Sequence, residues 1–458
     1  MNQLLFDRST GSLGPKAFAR IQTSYLIHAI QPVPGLRFNG GEKEILPVDE
    51  QGNSLPLPAG ETKIWAHQAG ANALTIDIEN RFLVSGGADS SIRLWDLDES
   101  DIRFKHTFKP RCAVSRTSSA HKFGITHLSF YPFDSEAFLS SSYDHHLKLY
   151  GTETLQVSAD FDLNSIVYTH ALSPIADHLL VACATQHPAV RLVDLRSGSS
   201  THSLAGHHGA LLSMAWSPTL EHVLASGGID GTVRLWDIRK SSGSLGVLDM
   251  EDSTGITGTD GMGRSARAHT SAVNGITWTD DGRYIITAGH DERIRVWDAA
   301  TGANTLASFG PTLKNGHLSN LPLVVSPTAS TSVGKELLFF PNEKEILMFE
   351  LHEGRLLKRL KVPGPNMAAV RSRTGERNIR NRVTGLVWRG QAGGIYTAHT
   401  DGQIRAWLPR TTDDEILDRE EEENSDAFGN NENEGTKRKR QVLDDVFQNL
   451  TRQKVTFG

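Results

Sequence analysis

The chain has 458 residues, with 53 Asp and Glu against 47 Lys and Arg, a net charge of −6 and a pI near 6.3. That balance excludes a whole-chain basic field for nucleic acid, and two cysteines, Cys112 and Cys183, are too few for a disulfide scaffold. A hydrophobic fraction of 38% with 42 glycines implies a body of short strands and turns plus polar loops and tails.

No apolar run approaches the ~20 residues that a membrane-spanning helix needs. The start lacks the basic flank of a secretory signal, and Asp7 argues against reading Arg8, Lys16 and Arg20 as a transit peptide. A soluble protein of a reducing compartment, nuclear or cytoplasmic, is expected. Residues 1–30 read as a short helical segment. Leu4, Leu5 and Phe6 make an apolar patch, and Pro15 suits the first turn of a second helix with Phe18, Ile21 and Tyr25 on one side. So small a helix pair cannot bury itself; its apolar side serves a partner's groove or the underside of the chain's own body. Residues 31–61, rich in Pro and Gly, read as a linker.

From residue 62 to 409 one layout recurs. The strings ADSSIRLWD, YDHHLKLYG, IDGTVRLWD, HDERIRVWD and TDGQIRAWL each open with a turn Asp followed six residues later by an aromatic: Asp89/Trp95, Asp144/Tyr150, Asp230/Trp236, Asp291/Trp297 and Asp401/Trp407. Four residues before each Asp stands a hydroxyl, at Ser85, Ser140, Ser226, Thr287 and Thr397. In the first four, a His precedes the hydroxyl by 18 or 19 residues, at His67, His121, His207 and His269. The Asp can accept from the His ring, and the hydroxyl can bridge His to the indole N–H, each bond contributing roughly 0.5–1.5 kcal/mol. Apolar and polar residues alternate in Thr232–Trp236, as in a strand.

Two weaker units, Ala189–Asp194 and Glu345–Glu350, put Val193 and Phe349 in the aromatic place. The seven positions 95, 150, 193, 236, 297, 349 and 407 fit the ~40–45-residue period of the WD repeat, stretched where loops are inserted. The expected fold is all-β: a seven-bladed WD-repeat β-propeller with a short N-terminal helical segment and a disordered C-terminal tail. Either Tyr25–Ile30 or Lys63–Ala66 would supply the strand that completes the last blade.

Nineteen His residues invite a metal reading, but the His/Asp pairs belong to different blades and no HExxH, HxxxH or CxxC pattern occurs. Four copies of one Ser/His/Asp constellation indicate architecture, not four catalytic triads. No phosphate-binding glycine loop is present. The expectation is a scaffold with no catalytic residue, metal or cofactor.

The stretch Leu172–Gly243, the opening LLFDRSTGSLGP with Arg20, Thr23 and Ile27, Phe130-Tyr131-Pro132, LSSSYDHHLKLY and TGANTLASFG from Thr301 resemble the Cockayne syndrome group A family of WD-repeat proteins. The resemblance covers most of residues 1–410. It implies the substrate receptor of a cullin-four RING ubiquitin ligase, docked on the ligase's damaged-DNA-binding adaptor. It further implies transcription-coupled repair in the nucleus, at stalled RNA polymerase II and beside a Cockayne syndrome group B type ATPase. Departures are the Pro/Gly-rich insertion Gln31–Glu61 and a basic cluster in the tail.

Residues just after Trp-Asp should emerge on the lower face, opposite the His and turn-Asp loops. There Trp236-Asp237-Ile238-Arg239 matches the WDxR pattern of receptors for that adaptor, and Val193-Asp194-Leu195-Arg196 is a degenerate copy. Arg239 and Arg196 serve as planar donors to a partner, or Asp237 and Arg239 pair only with each other. The adaptor-facing set is then Leu4, Leu5, Phe6, Arg8, Phe18, Ile21, Arg196, Asp237 and Arg239. On the upper face, loops Lys109–Ala120, Glu251–Ala268 and Lys361–Asn381 are candidate cargo contacts. The last carries Arg371, Arg373, Arg377 and Arg380, which read as a phosphate or acidic-partner contact or as a solvated loop. The tail, 410–458, holds the acidic run Glu420–Glu423, the nuclear-signal-like Lys437-Arg438-Lys439-Arg440, and Leu443, Val446, Phe447 and Leu450 at helical spacing. Two rival functions stand beside the ligase reading: a generic nuclear WD scaffold, and direct damaged-DNA binding by the upper face.

Overall fold

Strands of five or six residues, each too short to be stable alone, gain burial by stacking as small sheets around a ring. The computed structural model describes residues 2–41, 65–99, 104–117, 119–198, 200–240, 244–254, 266–361, 370–371, 377–378, 382–390, 394–411 and 414. Seven antiparallel sheets form the blades of a β-propeller. In each, strand A is innermost, and in six of them a strand D is outermost. Blade one, for example, runs Ala71–Ile76, Phe82–Gly87, Ile92–Asp96 and Pro110–Val114. Strands A of the remaining blades begin at Ile125, Val167, Leu211, Val273, Val324 and Val383.

The burial pattern follows from the stacking. Strand B is covered on both faces by neighbouring blades, and Leu338–Phe340 and Ile395–Ala398 are accordingly buried at every residue. Strand D lies at the rim and alternates, as in Leu356–Lys361. The core is therefore divided into layers between adjacent blades. Ala225 and Val233 of blade four meet Val273, Ile276, Ile285 and Trp297 of blade five; Leu139, Leu147 and Phe161 of blade two meet Val167, Val181 and Val193 of blade three. Val193 and Phe349 occupy the aromatic place of their blades, fully buried.

The ring closes by mixing the two ends of the chain. Helix α1 (Asn2–Ser9) and helix α2 (Pro15–His28) lead into strand β1 (Ile30–Val33), which becomes strand D of blade seven beside Ile404–Pro409. This corrects both sequence placements of the closing strand: Tyr25–His28 is helical, and Lys63 and Ile64 lie outside the described residues. It also corrects the linker, whose first residues are structured. Pro32 suggested a loop, but at the rim its missing N–H removes no ladder bond. A further strand, β2 (Leu36–Phe38), runs parallel to His106–Phe108. Phe38 stacks on Phe108 at 4.8 Å and meets Trp95 edge-on at 5.2 Å, sealing blade seven to blade one.

Two loop expectations also change. Lys109–Ala120 is not all loop, because Pro110–Val114 is strand D of blade one. Among the described residues blade five has three strands, and the chain after Asp298 makes a single bridge, Trp297 to Asn304. In the Arg-rich loop, Val370–Arg371 pairs with Arg377–Asn378. Arg373 and Arg380 lie outside the described residues, as do most of Glu251–Ala268 beyond Thr254, the nuclear-signal-like Lys437–Arg440 and the apolar positions near 443–450.

Candidate functional site

The B–C turns and D–A connections share the upper face, and strand C descends from there to the lower face. In blade four the expected network is complete. Ser226 Oγ accepts from Trp236 Nε1 at 2.7 Å and meets His207 Nε2 at 2.8 Å. Thr232 Oγ1 links His207 Nδ1 to Asp230, whose other oxygen accepts from the His208 backbone N–H at 2.9 Å. Blade five repeats it through His269, Thr287 and Trp297, with Asp291 on His269 Nδ1 at 2.9 Å. In blade one Ser85 joins His67 and Trp95, and Ser91 mediates between His67 and Asp89. Burial pushes Asp89, Asp230 and Asp291 upward, yet the hydrogen bonds around them outweigh it and hold all three well below the usual carboxylate range. Burial keeps His269 neutral-leaning, its affinity for a proton lowered.

Blade two departs from this. His121 holds Asp144 at 2.9 Å, but Ser140 Oγ, His121 Nε2 and the Tyr150 hydroxyl are buried without a protein partner. A phenol projects its donor from the ring tip, whereas an indole donates from its side, so Tyr150 cannot hand Ser140 the bond that Trp gives elsewhere. Blade seven shows what the sequence reading missed. Thr397 joins Trp407 at 2.9 Å and His399 Nε2 at 2.8 Å, so a His two residues downstream replaces the absent loop His, while Asp401 takes Arg405. The signal was legible as Thr397-Ala398-His399. These constellations tie loops to blades.

The lower face carries the exposed chemistry. Arg239 closes a two-bond fork on Asp237, Nε to Oδ1 at 3.0 Å and Nη2 to Oδ2 at 2.8 Å. That bond is the main reason the Asp237 carboxyl is held down to about 2. Asp237 is buried, but the Arg239 side chain remains 65% exposed, so the fork is anchored from below and still presents its outer edge. Arg196 sits on the next blade, exposed. Its Asp194 takes the Arg196 backbone N–H and the Ser197 hydroxyl.

Five A–B turns on this face each present an apolar side chain to solvent: Ile78, Phe133, Ile175, Leu220 and Val333. None of them featured among the sequence-based candidates, because single apolar residues in turns carry no periodicity. The helix pair lies beside blades six and seven. Thr23 Oγ1 donates to the Ser330 carbonyl of a lower turn at 2.7 Å, and Ile27 packs with Phe339, Met348 and Trp407. Leu5, Phe6 and Tyr25 stay exposed, and Leu4, Phe18, Ile21 and Tyr25 line a small groove. Phe18 itself is buried, with the Arg8 guanidinium 4.7 Å above its ring, so these two residues join the helices to each other. Neither helix covers Arg239. The upper face has its own exposed apolar groups in Phe123, Tyr143, Ile229 and Leu318.

A seven-bladed propeller with repeated His–hydroxyl–Trp networks defines the WD-repeat class, and this chain is a WD-repeat protein. The family model described as "WD domain, G-beta repeat" matches residues 61–96, 112–151, 198–237 and 263–298, ranges that contain strands A to C of blades one, two, four and five. The chain is similar to "WD repeat-containing protein ATCSA-1" of Arabidopsis thaliana, 29% identical over 450 residues, covering 82% of this chain and 93% of that protein. It is also similar to "Ribosome biogenesis protein ytm1" of Emericella nidulans, 27% identical over 266 residues, covering 52% and 54%. "Radiation-sensitive protein 28" of Saccharomyces cerevisiae is 23% identical over 294 residues, covering 58% and 56%. The last two matches thus span about half of each relative's length.

Proposed function

We propose that this chain is the substrate-recognition subunit of a cullin-four type RING ubiquitin ligase, acting in transcription-coupled nucleotide-excision repair in the nucleus. The observation that carries the reading is the unburied apolar helix pair beside the lower turns. Leu5, Phe6 and Tyr25 are large apolar groups left in water at the edge of a face that also presents Ile175, Leu220 and the Arg239 fork. Large apolar side chains left in water on one helix pair are the kind of surface that a partner covers. A helical apolar face fits a groove in the ligase's damaged-DNA-binding adaptor, and the Arg239 fork suits a carbonyl or carboxylate there. The upper face, with Phe123, Tyr143, Ile229 and Leu318, is left for cargo: RNA polymerase II or a Cockayne syndrome group B type ATPase. The long match to the Arabidopsis relative supports this assignment. In it the chain supplies position, and ubiquitin transfer belongs to other subunits.

The test is direct binding of the purified adaptor, by biolayer interferometry, to the full chain and to two variants. Wild type should bind saturably. Leu5→Asp with Phe6→Asp should weaken binding at least tenfold, and Arg239→Ala should weaken it by more than the stability lost on unpairing the buried Asp237, which the melting temperature of the same variant reads. An adaptor that ignores the wild-type chain, or binds the helix variant equally well, refutes the reading. A nuclear scaffold outside any ligase is the second reading, supported by the ribosome-biogenesis relatives.

A further inference from the structure

Blade five departs from the others at its outer edge. Strand C, Arg293–Asp298, pairs inward with Tyr284–Gly289. The alternation of an antiparallel ladder turns the backbone groups of Ile294, Val296 and Asp298 outward. In blade four the equivalent groups are taken by strand D: Arg234 to Trp236 pair with Ser244–Val247, and the Val233 carbonyl accepts from Leu248 at 3.0 Å. In blade five the chain starts the same way. Asp298 N–H donates to Ala303 and Thr305 N–H donates to the Val296 carbonyl, both at 2.9 Å. It then peels off through Leu306, in the left-handed region at φ 60°, and Gly310 at φ 73°. The Val296 N–H and both outward groups of Ile294 therefore meet no hydrogen-bond partner among the described residues.

Between the unpaired edge and the departing chain lies a groove of about 450 Å³, walled by Met250, Glu251, Arg293, Leu306, Phe309 and Leu313. Leu306 is 66% exposed at its mouth. Two guanidiniums border the open strand. Arg295 is answered by Asp291 at 2.9 Å, whereas Arg293 is exposed and has no carboxylate partner among the described residues. A row of unused ladder groups beside a trough of mixed apolar and charged lining is the form that takes an added strand, with main-chain bonds giving affinity and alternate side chains giving selectivity. The unanswered Arg293 sets the sign of what fits.

We infer that the open edge of blade five is a β-augmentation site for an extended acidic peptide of a partner protein, alternating acidic with apolar residues. The peptide pairs with Ile294 and Val296, seats an apolar side chain against Leu306 and Phe309, and places a carboxylate at Arg293. The site lies on the rim and stands independently of the ligase reading.

The probe is the synthetic peptide acetyl-Asp-Val-Glu-Val-Asp-Val-Glu-amide, with a Lys-for-acid counterpart and a backbone N-methylated copy, each titrated into the full chain. Binding is followed by calorimetry and by hydrogen exchange. The acidic peptide should bind saturably and slow exchange of the Ile294 and Val296 amides at least tenfold. Arg293→Glu, at an exposed position, should weaken it at least tenfold. The Lys and N-methylated peptides should fail. The inference is overturned by any of four results: no saturable binding, protection elsewhere than this edge, indifference to Arg293→Glu, or a Val296 amide that in the free protein already exchanges as slowly as that of Leu235. Binding of the N-methylated copy would reduce the contact to charge alone and overturn it too.

Discussion

Ser226 and Ser140 stand at the same place in blades four and two, both fully buried, and the same substitution should have opposite consequences. Ser226→Ala removes the one oxygen that Trp236 Nε1 and His207 Nε2 share at 2.7 and 2.8 Å. It leaves two polar groups buried without a partner, and each orphan costs about 1–3 kcal/mol, so a loss of about 2–6 kcal/mol is expected. Ser140→Ala removes a hydroxyl that is itself buried without a protein partner. Deleting such a group relieves a desolvation cost, so the change should fall between zero and about 1 kcal/mol of stabilisation. Urea denaturation of the two variants and the parent, followed by tryptophan fluorescence, measures both. Native-state hydrogen exchange of the two blades separates local from global loss. Equal destabilisation by the two substitutions would refute the claim that the indole, and not the serine alone, makes the network.

Three further outcomes follow from the same structure. Trp236→Ala should cost about 3–5 kcal/mol as a buried large-to-small change, read as a lowered denaturation midpoint. His127, partly buried 4.7 Å from the His170 ring, is pushed by burial down to about 4. Below pH 6.5 the unfolded chain binds a proton that the folded His127 refuses, so stability should fall by roughly 3 kcal/mol between pH 6.5 and 4. His127→Leu should make that window shallower in a pH series of denaturation curves, leaving the part owed to buried His170, whose proton affinity burial also lowers; an unchanged slope would count against it. The residue after each turn Asp is left-handed in five blades: Ser90, His145, Gly231, Glu292 and Gly402. Glu292→Gly should therefore stabilise by up to about 1 kcal/mol. Gly231→Ala should destabilise, because its Cβ would come 2.5 Å from the His269 carbonyl of the next blade. Paired thermal melts decide both.

The sequence by itself determined the ring. A period carrying Asp, hydroxyl, His and Trp at fixed offsets specifies hydrogen bonds that only a blade can satisfy, and even Val193 and Phe349 were legible from their position in the count. Arg239 was legible too, because its distance from Trp236 is local. What only the tertiary structure decided are relations between blades. The closing strand β1 is three hundred residues or more from its partner, and Pro32 hid it behind the signature of a linker. Tyr150 reads as a conservative substitute for Trp, yet the direction of its donor, a fact of three dimensions, empties the blade-two network. The missing outer strand of blade five left no mark in the repeat, since a strand is defined by the neighbour it pairs with and not by its own residues. Exposure followed the same rule: Ile78, Phe133 and Leu220 are apolar in any reading, and only the ring's geometry places their turns on one face.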